Sequence, residues 1–141
     1  MKKRILAITV IGAVFPAVAL GGAAAKIGLK ATLTGAREVP KGAPAGKGTA
    51  DFDLIGGTKV CWKLTYSGIG TPTASHIHKG KPGTAGPVVV PLGAAFKAKG
   101  CTTAPAAIVG AIAKNPAAYY LNIHTAKYPA GAIRGQLAKE Y

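Results

Sequence analysis

All three histidines of the chain fall in two short runs, Ser75-His76-Ile77-His78 and Asn122-Ile123-His124. In a β-strand, residues two apart share a face and stand roughly 6.5–7 Å apart along it, so His76 and His78 project together. A neutral imidazole is the commonest protein ligand of zinc and copper. Three imidazoles with coordination positions left open suit Cu(II), or Zn(II) with a water. In that reading His76, His78 and His124 are the ligands, and Asn122 and Gln136 orient the rings through their free N–H groups. Arg134 would attract an anion and oppose a cation by its charge. The competing reading is three histidines on the wet face of a sheet, used only as hydrogen bonders.

Other chemistries find little material. Ser67 and Ser75 are the only serines and neither sits in a nucleophile elbow. The acids are Glu38, Asp51, Asp53 and Glu140. Asp51 and Asp53 share a strand face, but nothing raises the pKa of one carboxyl across a cleft, as a glycosidase requires. No Gly-rich phosphate motif follows a strand and opens a helix. Dispersed lysines, few aromatics and the signs of export argue against nucleic acid.

The elements that must position the histidines read as strands. Twenty Gly and ten Pro punctuate short apolar runs, which predicts an all-β antiparallel Greek-key sandwich, immunoglobulin-like or superoxide-dismutase-like, rather than helices. Ile27, Leu29, Ala31 and Leu33 alternate with polar residues or glycine. Ala50, Phe52 and Leu54 face inward against Asp51 and Asp53, and Gly56-Gly57 marks a hairpin. Val60, Trp62, Leu64 and Tyr66 form the clearest strand, with Trp62 as core anchor. Residues 86–92 form a short strand whose prolines place it at an edge. Residues 105–114 carry apolar residues at helical spacing behind a Pro and are closed by Asn115-Pro116, one short helix. Residues 118–125 and 132–138 are strands joined by a turn. With Ile77, Leu121, Ile123, Ile133 and Leu137 inward, the outward set is His76, His78, Asn122, His124, Arg134 and Gln136.

Lys2-Lys3-Arg4, the apolar residues 5–20 and Ala23-Ala24-Ala25 read as a secretory signal peptide over residues 1–25. The chain is then expected in the periplasm or outside the cell, touching a membrane only through an uncleaved leader. The rest, residues 26–141, is one domain's length. The whole chain holds 18 Lys+Arg against 4 Asp+Glu, a formal net charge of +14, and three of those cations belong to the leader. A protein this basic is expected to associate with polyanions such as phosphorylated surface polymers, acidic glycans or lipid headgroups. In an oxidising compartment Cys61 and Cys101 are expected to pair. Thiolate ligation of a metal is the alternative, although no CxxC is present.

A family resemblance runs through the same residues. The chain carries Leu33-Thr34-Gly35-Ala36-Arg37-Glu38-Val39-Pro40, then Ala74-Ser75-His76-Ile77-His78 and Gly86-Pro87-Val88-Val89-Val90. It continues with Tyr119-Tyr120-Leu121-Asn122-Ile123-His124-Thr125 and Pro129-Ala130-Gly131-Ala132-Ile133-Arg134-Gly135-Gln136-Leu137. In that order these resemble the CHRD domain, named for chordin and found in secreted bacterial proteins, over about residues 27–138. The resemblance implies an extracellular β-sandwich; in chordin such domains accompany cysteine-rich modules that bind growth factors. Two positions depart from the family's usual pattern. Lys41 stands where a second Pro is usual, and Ala132 replaces a carboxylate that could have served Arg134 or a metal. At the level of fold, a His-x-His strand with a third histidine on a late strand is similar to part of the copper site of copper/zinc superoxide dismutases. That family's fourth copper histidine and zinc ligands have no counterpart among three histidines, so its activity does not carry over.

Two functions are therefore in play. One is a secreted, non-enzymatic CHRD-domain binding module for anionic cell-surface polymers or an extracellular protein. The other is a copper- or zinc-binding protein that uses His76, His78 and His124.

Overall fold

The computed structural model describes residues 22–141, so the leader expected over residues 1–25 lies, up to residue 21, outside the described residues. Period-two alternation becomes nine strands: β1 (Lys26–Thr34), β2 (Lys47–Ile55), β3 (Lys59–Ser67), β4 (Pro72–Lys79), β5 (Val88–Pro91), β6 (Lys99–Thr103), β7 (Tyr119–Thr125), β8 (Ile133–Gln136) and β9 (Ala138–Lys139). Among the described residues one α-helix, α1 (Ala106–Lys114), starts directly after Pro105 and stops before Asn115-Pro116, as Pro at each end requires. The strands form one curled antiparallel sheet in the order β5-β4-β7-β8-β1-β2-β3-β6, with β9 also paired to β1. β8 meets β1 only at Thr34↔Arg134. The sheet therefore bends there into two layers, β5-β4-β7-β8 and β1-β2-β3-β6. Connections crossing between the layers set β6 beside β3 and β7 beside β4, a Greek-key arrangement.

The inward face of each strand supplies the core. Leu29, Leu33, Phe52, Leu54, Val60, Trp62 and Leu64 meet Ile77, Leu121, Ile123 and Ile133, and α1 adds Val109 and Ile112. Trp62 is buried and its indole N–H donates to the Lys97 carbonyl at 2.8 Å, so a large apolar side chain is enclosed without stranding its one polar atom. Two ends of the alternation run out into solvent. Ile27 is exposed at the start of β1, and Tyr66 is exposed near the end of β3, where it packs edge-on against Phe96 instead of entering the core. At the β2–β3 hairpin Gly56 and Gly57 both have positive φ, which the tight turn requires. Cys61 and Cys101 are disulfide-bonded between directly paired positions of β3 and β6.

The outward face of β5-β4-β7-β8 is not the wet face that alternation predicts. Asn122 and Arg134 are buried, and so is most of His78. Two loops cover them. Residues 35–46 fold back from β1 through Gly42 N–H to the Gly35 carbonyl and Ala43 N–H to the Ala132 carbonyl. The β4–β5 loop is tied to the sheet by Gly80 N–H to the Ala118 carbonyl and by Gln136 Nε2 to the Gly80 carbonyl. The layer is thus apolar on one side and carries a polar interior on the other.

Candidate metal centre

Register brings the candidate residues together. His76 pairs directly with Asn122, and Asn122 with Arg134, in one row across β4, β7 and β8. His78 pairs with Tyr120, and Ala74 with His124. The outward side chains of β4 and the far end of β7 therefore converge. His76 and His124 have ring centroids 4.9 Å apart, His76 and His78 5.7 Å, and His78 and His124 6.2 Å. One ring nitrogen from each lies within 4.8 Å of one from each of the others.

Hydrogen bonds decide which nitrogens are free. His78 Nδ1 lies 2.8 Å from the Gly86 carbonyl and His124 Nδ1 lies 2.9 Å from the Pro129 carbonyl. A carbonyl only accepts, so both Nδ1 atoms carry the proton and both Nε2 atoms present a lone pair. His124 Nε2 is 3.1 Å from His76 Nδ1 and accepts its N–H. His78 Nε2 is buried with no hydrogen-bond partner within 3.5 Å, and the Asn122 side chain lies beside the ring. A buried acceptor left unpaired costs about 1–3 kcal/mol, so it calls for an occupant. For metal–nitrogen bonds of about 2.0–2.1 Å, nitrogens around one ion sit roughly 2.9 Å (cis, square-planar) to 4.1 Å (trans) apart. The histidine triplet is within about an ångström of that spacing, and His76 needs only a tautomer change to offer Nδ1.

The electrostatics favour the neutral form of His76 and His78. Burial, then the neighbouring His124 and His78, push His76 down to about 4. Burial is also the main cause of the lowered pKa of His78. The Gly86 carbonyl opposes that shift, while His124 and Arg134 add to it. Neutral imidazole is the ligating form, so the depressed values hold these two rings ready for a cation. His76 and His124 remain half-exposed, which leaves the cluster reachable from solvent.

Of the residues expected to support the rings, Asn122 lies beside His78 and Gln136 is engaged elsewhere. Gln136 Nε2 is taken by the carbonyls of Gly80, Ala117 and Tyr119, so it fastens loops rather than an imidazole. The ring-orienting partners are instead the carbonyls of Gly86 and Pro129. Gly86 can have no side chain, because a Cβ there would lie 1.7 Å from the Lys79 carbonyl oxygen. Its N–H receives support from the Tyr120 hydroxyl at 3.0 Å. Arg134 lies with its guanidinium carbon 3.3 Å from the Tyr120 ring centroid, and that ring stacks on His78 at 4.8 Å, nearly parallel. Asn122 sits between the histidines and Glu38 and contributes to the pKa of both His78 and Glu38.

Two participants escaped the sequence reading. Tyr120 shares the strand phase of Asn122 and His124, and that phase was the available signal. Glu38 was visible only as part of a motif. Its buried carboxylate lies against the Gly131 backbone, where a Cβ would meet its oxygens at 2.3 and 2.6 Å and where φ is +137°. Burial raises Glu38 to about 7 against the opposing pull of Arg134. A carboxyl group thus faces Arg134 despite Ala132, arriving from the other end of the domain.

The sequence model of the CHRD domain matches residues 29–137. No curated protein and no solved structure matches the chain closely enough to carry an argument.

Proposed function

The chain belongs to the CHRD domain family, and from that premise we propose that it is a metal-binding domain of the cell exterior, holding one Cu(II), or more weakly one Zn(II), on His76 Nδ1, His78 Nε2 and His124 Nε2. The observation that carries this reading is the locking of two Nδ1–H groups onto backbone carbonyls while the opposite nitrogens, one of them buried and unpartnered, gather with His76. Carbonyl-oriented imidazoles are the usual outer support of a histidine metal site. For a given nitrogen donor set Cu(II) binds more tightly than Zn(II). The metal would supply an open coordination position reached past the half-exposed His76 and His124. The chain's own residues hold the rings' tautomers, and the Arg134 charge disfavours protonation of His78. Exterior location agrees with the family and with the disulfide.

Untagged protein titrated with Cu(II) is expected to take up one equivalent and to give an electron paramagnetic resonance signal with imidazole nitrogen splitting. His78→Ala should lower affinity at least 100-fold with an unchanged circular-dichroism spectrum. No uptake at micromolar copper would defeat the proposal.

A second reading, attachment to anionic polymers, is favoured by the open face of the other layer. There Lys63 and Lys99 stand directly opposite each other and both are exposed. Like charges in that position are unfavourable on their own, and a polyanion would relieve them.

A further inference from the structure

A large cavity lies away from the histidines. It holds about 590 Å³ between β1, the loop after β1, the β4–β5 loop and β8–β9. Val39, Pro82 and Ala138 give it apolar walls, Lys30 and Lys41 bring cations to it, and Arg134 lies in its wall. We infer that this cavity binds a small organic monoanion, a carboxylate on an apolar body, anchored by Arg134.

Arg134 is only 1% exposed. Its Nη2 donates to the Lys81 carbonyl at 3.0 Å and its face lies on Tyr120. Among the described residues no carboxylate comes within 4.0 Å of it; the one ion pair found is Lys26–Asp53 on the surface. A buried charge is ordinarily paired, because desolvating it alone costs several kcal/mol. Here a buried guanidinium, on a residue of the cavity wall, has no carboxylate at ion-pair distance, and Glu38, which faces it, is held near neutrality by burial.

The composition of the wall selects the ligand. A guanidinium fork matches the two oxygens of a carboxylate. Lys30, Arg37 and Lys41 are exposed at the rim, so the one buried cation, with Glu38 on the same wall, suits one negative charge at the buried end and disfavours a phosphate dianion there. Apolar walls around a few polar groups need a hydrocarbon body to fill them, and the volume lies within the range of small-molecule sites. Burial keeps Glu38 near neutrality, which lets its O–H donate to a second carboxylate instead of repelling it. None of this depends on metal at the histidines.

The test is calorimetric titration of the full chain with decanoate below its micelle concentration, with decanamide as neutral counterpart and inorganic phosphate as competitor. Decanoate should bind at one saturable site, decanamide at least tenfold more weakly, and phosphate should not displace decanoate. Ala138→Trp places bulk on an exposed rim residue and leaves Arg134 intact. It should weaken decanoate at least tenfold with unchanged circular dichroism. Equal affinity for decanoate and decanamide, displacement by phosphate, undiminished binding to Ala138→Trp, or no saturable binding at millimolar decanoate would each overturn the inference.

Discussion

The two layers treat their outward faces in opposite ways. On β1-β2-β3-β6 the outward residues Lys30, Asp51, Lys63 and Lys99 form a row across four strands, and all are exposed. On β5-β4-β7-β8 the equivalent row is His76, Asn122 and Arg134, and two of the three are buried. Both rows come from the same alternation of apolar and polar residues. The difference is the cover: loops 35–46 and 80–87 lie over one face, while the other row is exposed, with Lys30 at its end on the rim of the cavity. A polar side chain in water costs nothing to keep, whereas one under a loop must be satisfied or be destabilising. The covered face retains an unpartnered imidazole nitrogen, a carboxyl near neutrality and a guanidinium without a salt bridge. Such a concentration of unpaired polar groups sets the covered face apart from the charged one, and both proposed sites draw on it.

The sharpest way to break that contrast is to neutralise one cation from each face. Arg134→Met leaves the Lys81 carbonyl without its donor and removes the cation over the Tyr120 ring, and it should lower stability by about 1–3 kcal/mol. Lys63→Met on the open face should stay within about 0.5 kcal/mol of wild type. Urea midpoints at equal slope measure both. If Arg134→Met is as mild as Lys63→Met, the cover is permeable to water and the two faces are electrostatically alike.

Much of the contrast's framework was legible in the sequence. Strand periodicity placed Trp62, Phe52 and Ile77 inward, Pro105 and Asn115-Pro116 bounded the helix, and the shared phase of His76, His78 and His124 put them on one side. Periodicity fixes which side a residue takes, because a one-residue slip would reverse every side chain. It carries no information on what lies above that side. The cover depends on the path of residues 35–46, held by long-range bonds such as Ala43 N–H to the Ala132 carbonyl. For the same reason Glu38 could be seen as an acid but not as a neighbour of Gly131, some ninety residues away. The glycines at 86 and 131 are required by backbone approach, a constraint that appears only once the chain is folded.

Acidity offers a second, smaller probe of the covered face, with metal held off by chelator. Glu38 is at about 7 in the folded state against an ordinary 4.5. Its folded value is raised, so the folded state binds more protons between those values, and this contribution is present below 4.5 and lost as pH rises through 7. His76 is at about 4 against 6.5, so the unfolded state binds more protons in that window and stability falls on acidification from 6.5 to 4. From 4.5 to 6.5 the two slopes oppose each other. Glu38→Gln should therefore expose the histidine slope: stability rises with pH between 4.5 and 6.5 more steeply than in wild type, by at most about 1.4 kcal/mol per pH unit. Between 6.5 and 7 the wild-type decline should be absent from the variant. Identical pH profiles for the two proteins would mean that Glu38 titrates as it does in water.

The smallest expected effect lies on the open face and would sharpen the contrast from the other side. Lys99 faces Lys63 across the β3–β6 pairing, and Asp51 sits on the far side of Lys63. Two like charges directly opposite repel, yet solvent and salt screen them, so the penalty is slight. Lys99→Thr keeps a β-compatible side chain on an edge strand and removes the repulsion. It should raise stability by no more than about 0.5 kcal/mol, with the gain shrinking as salt is added. The same change should weaken retention on an anionic polymer at low salt, because one cation of the exposed row is gone. Stability and retention would then move in opposite directions, as expected of a surface whose charges serve an outside partner rather than the fold. A variant that loses stability would show instead that Lys99 is held by contacts within the sheet, and the open face would no longer count as merely solvated.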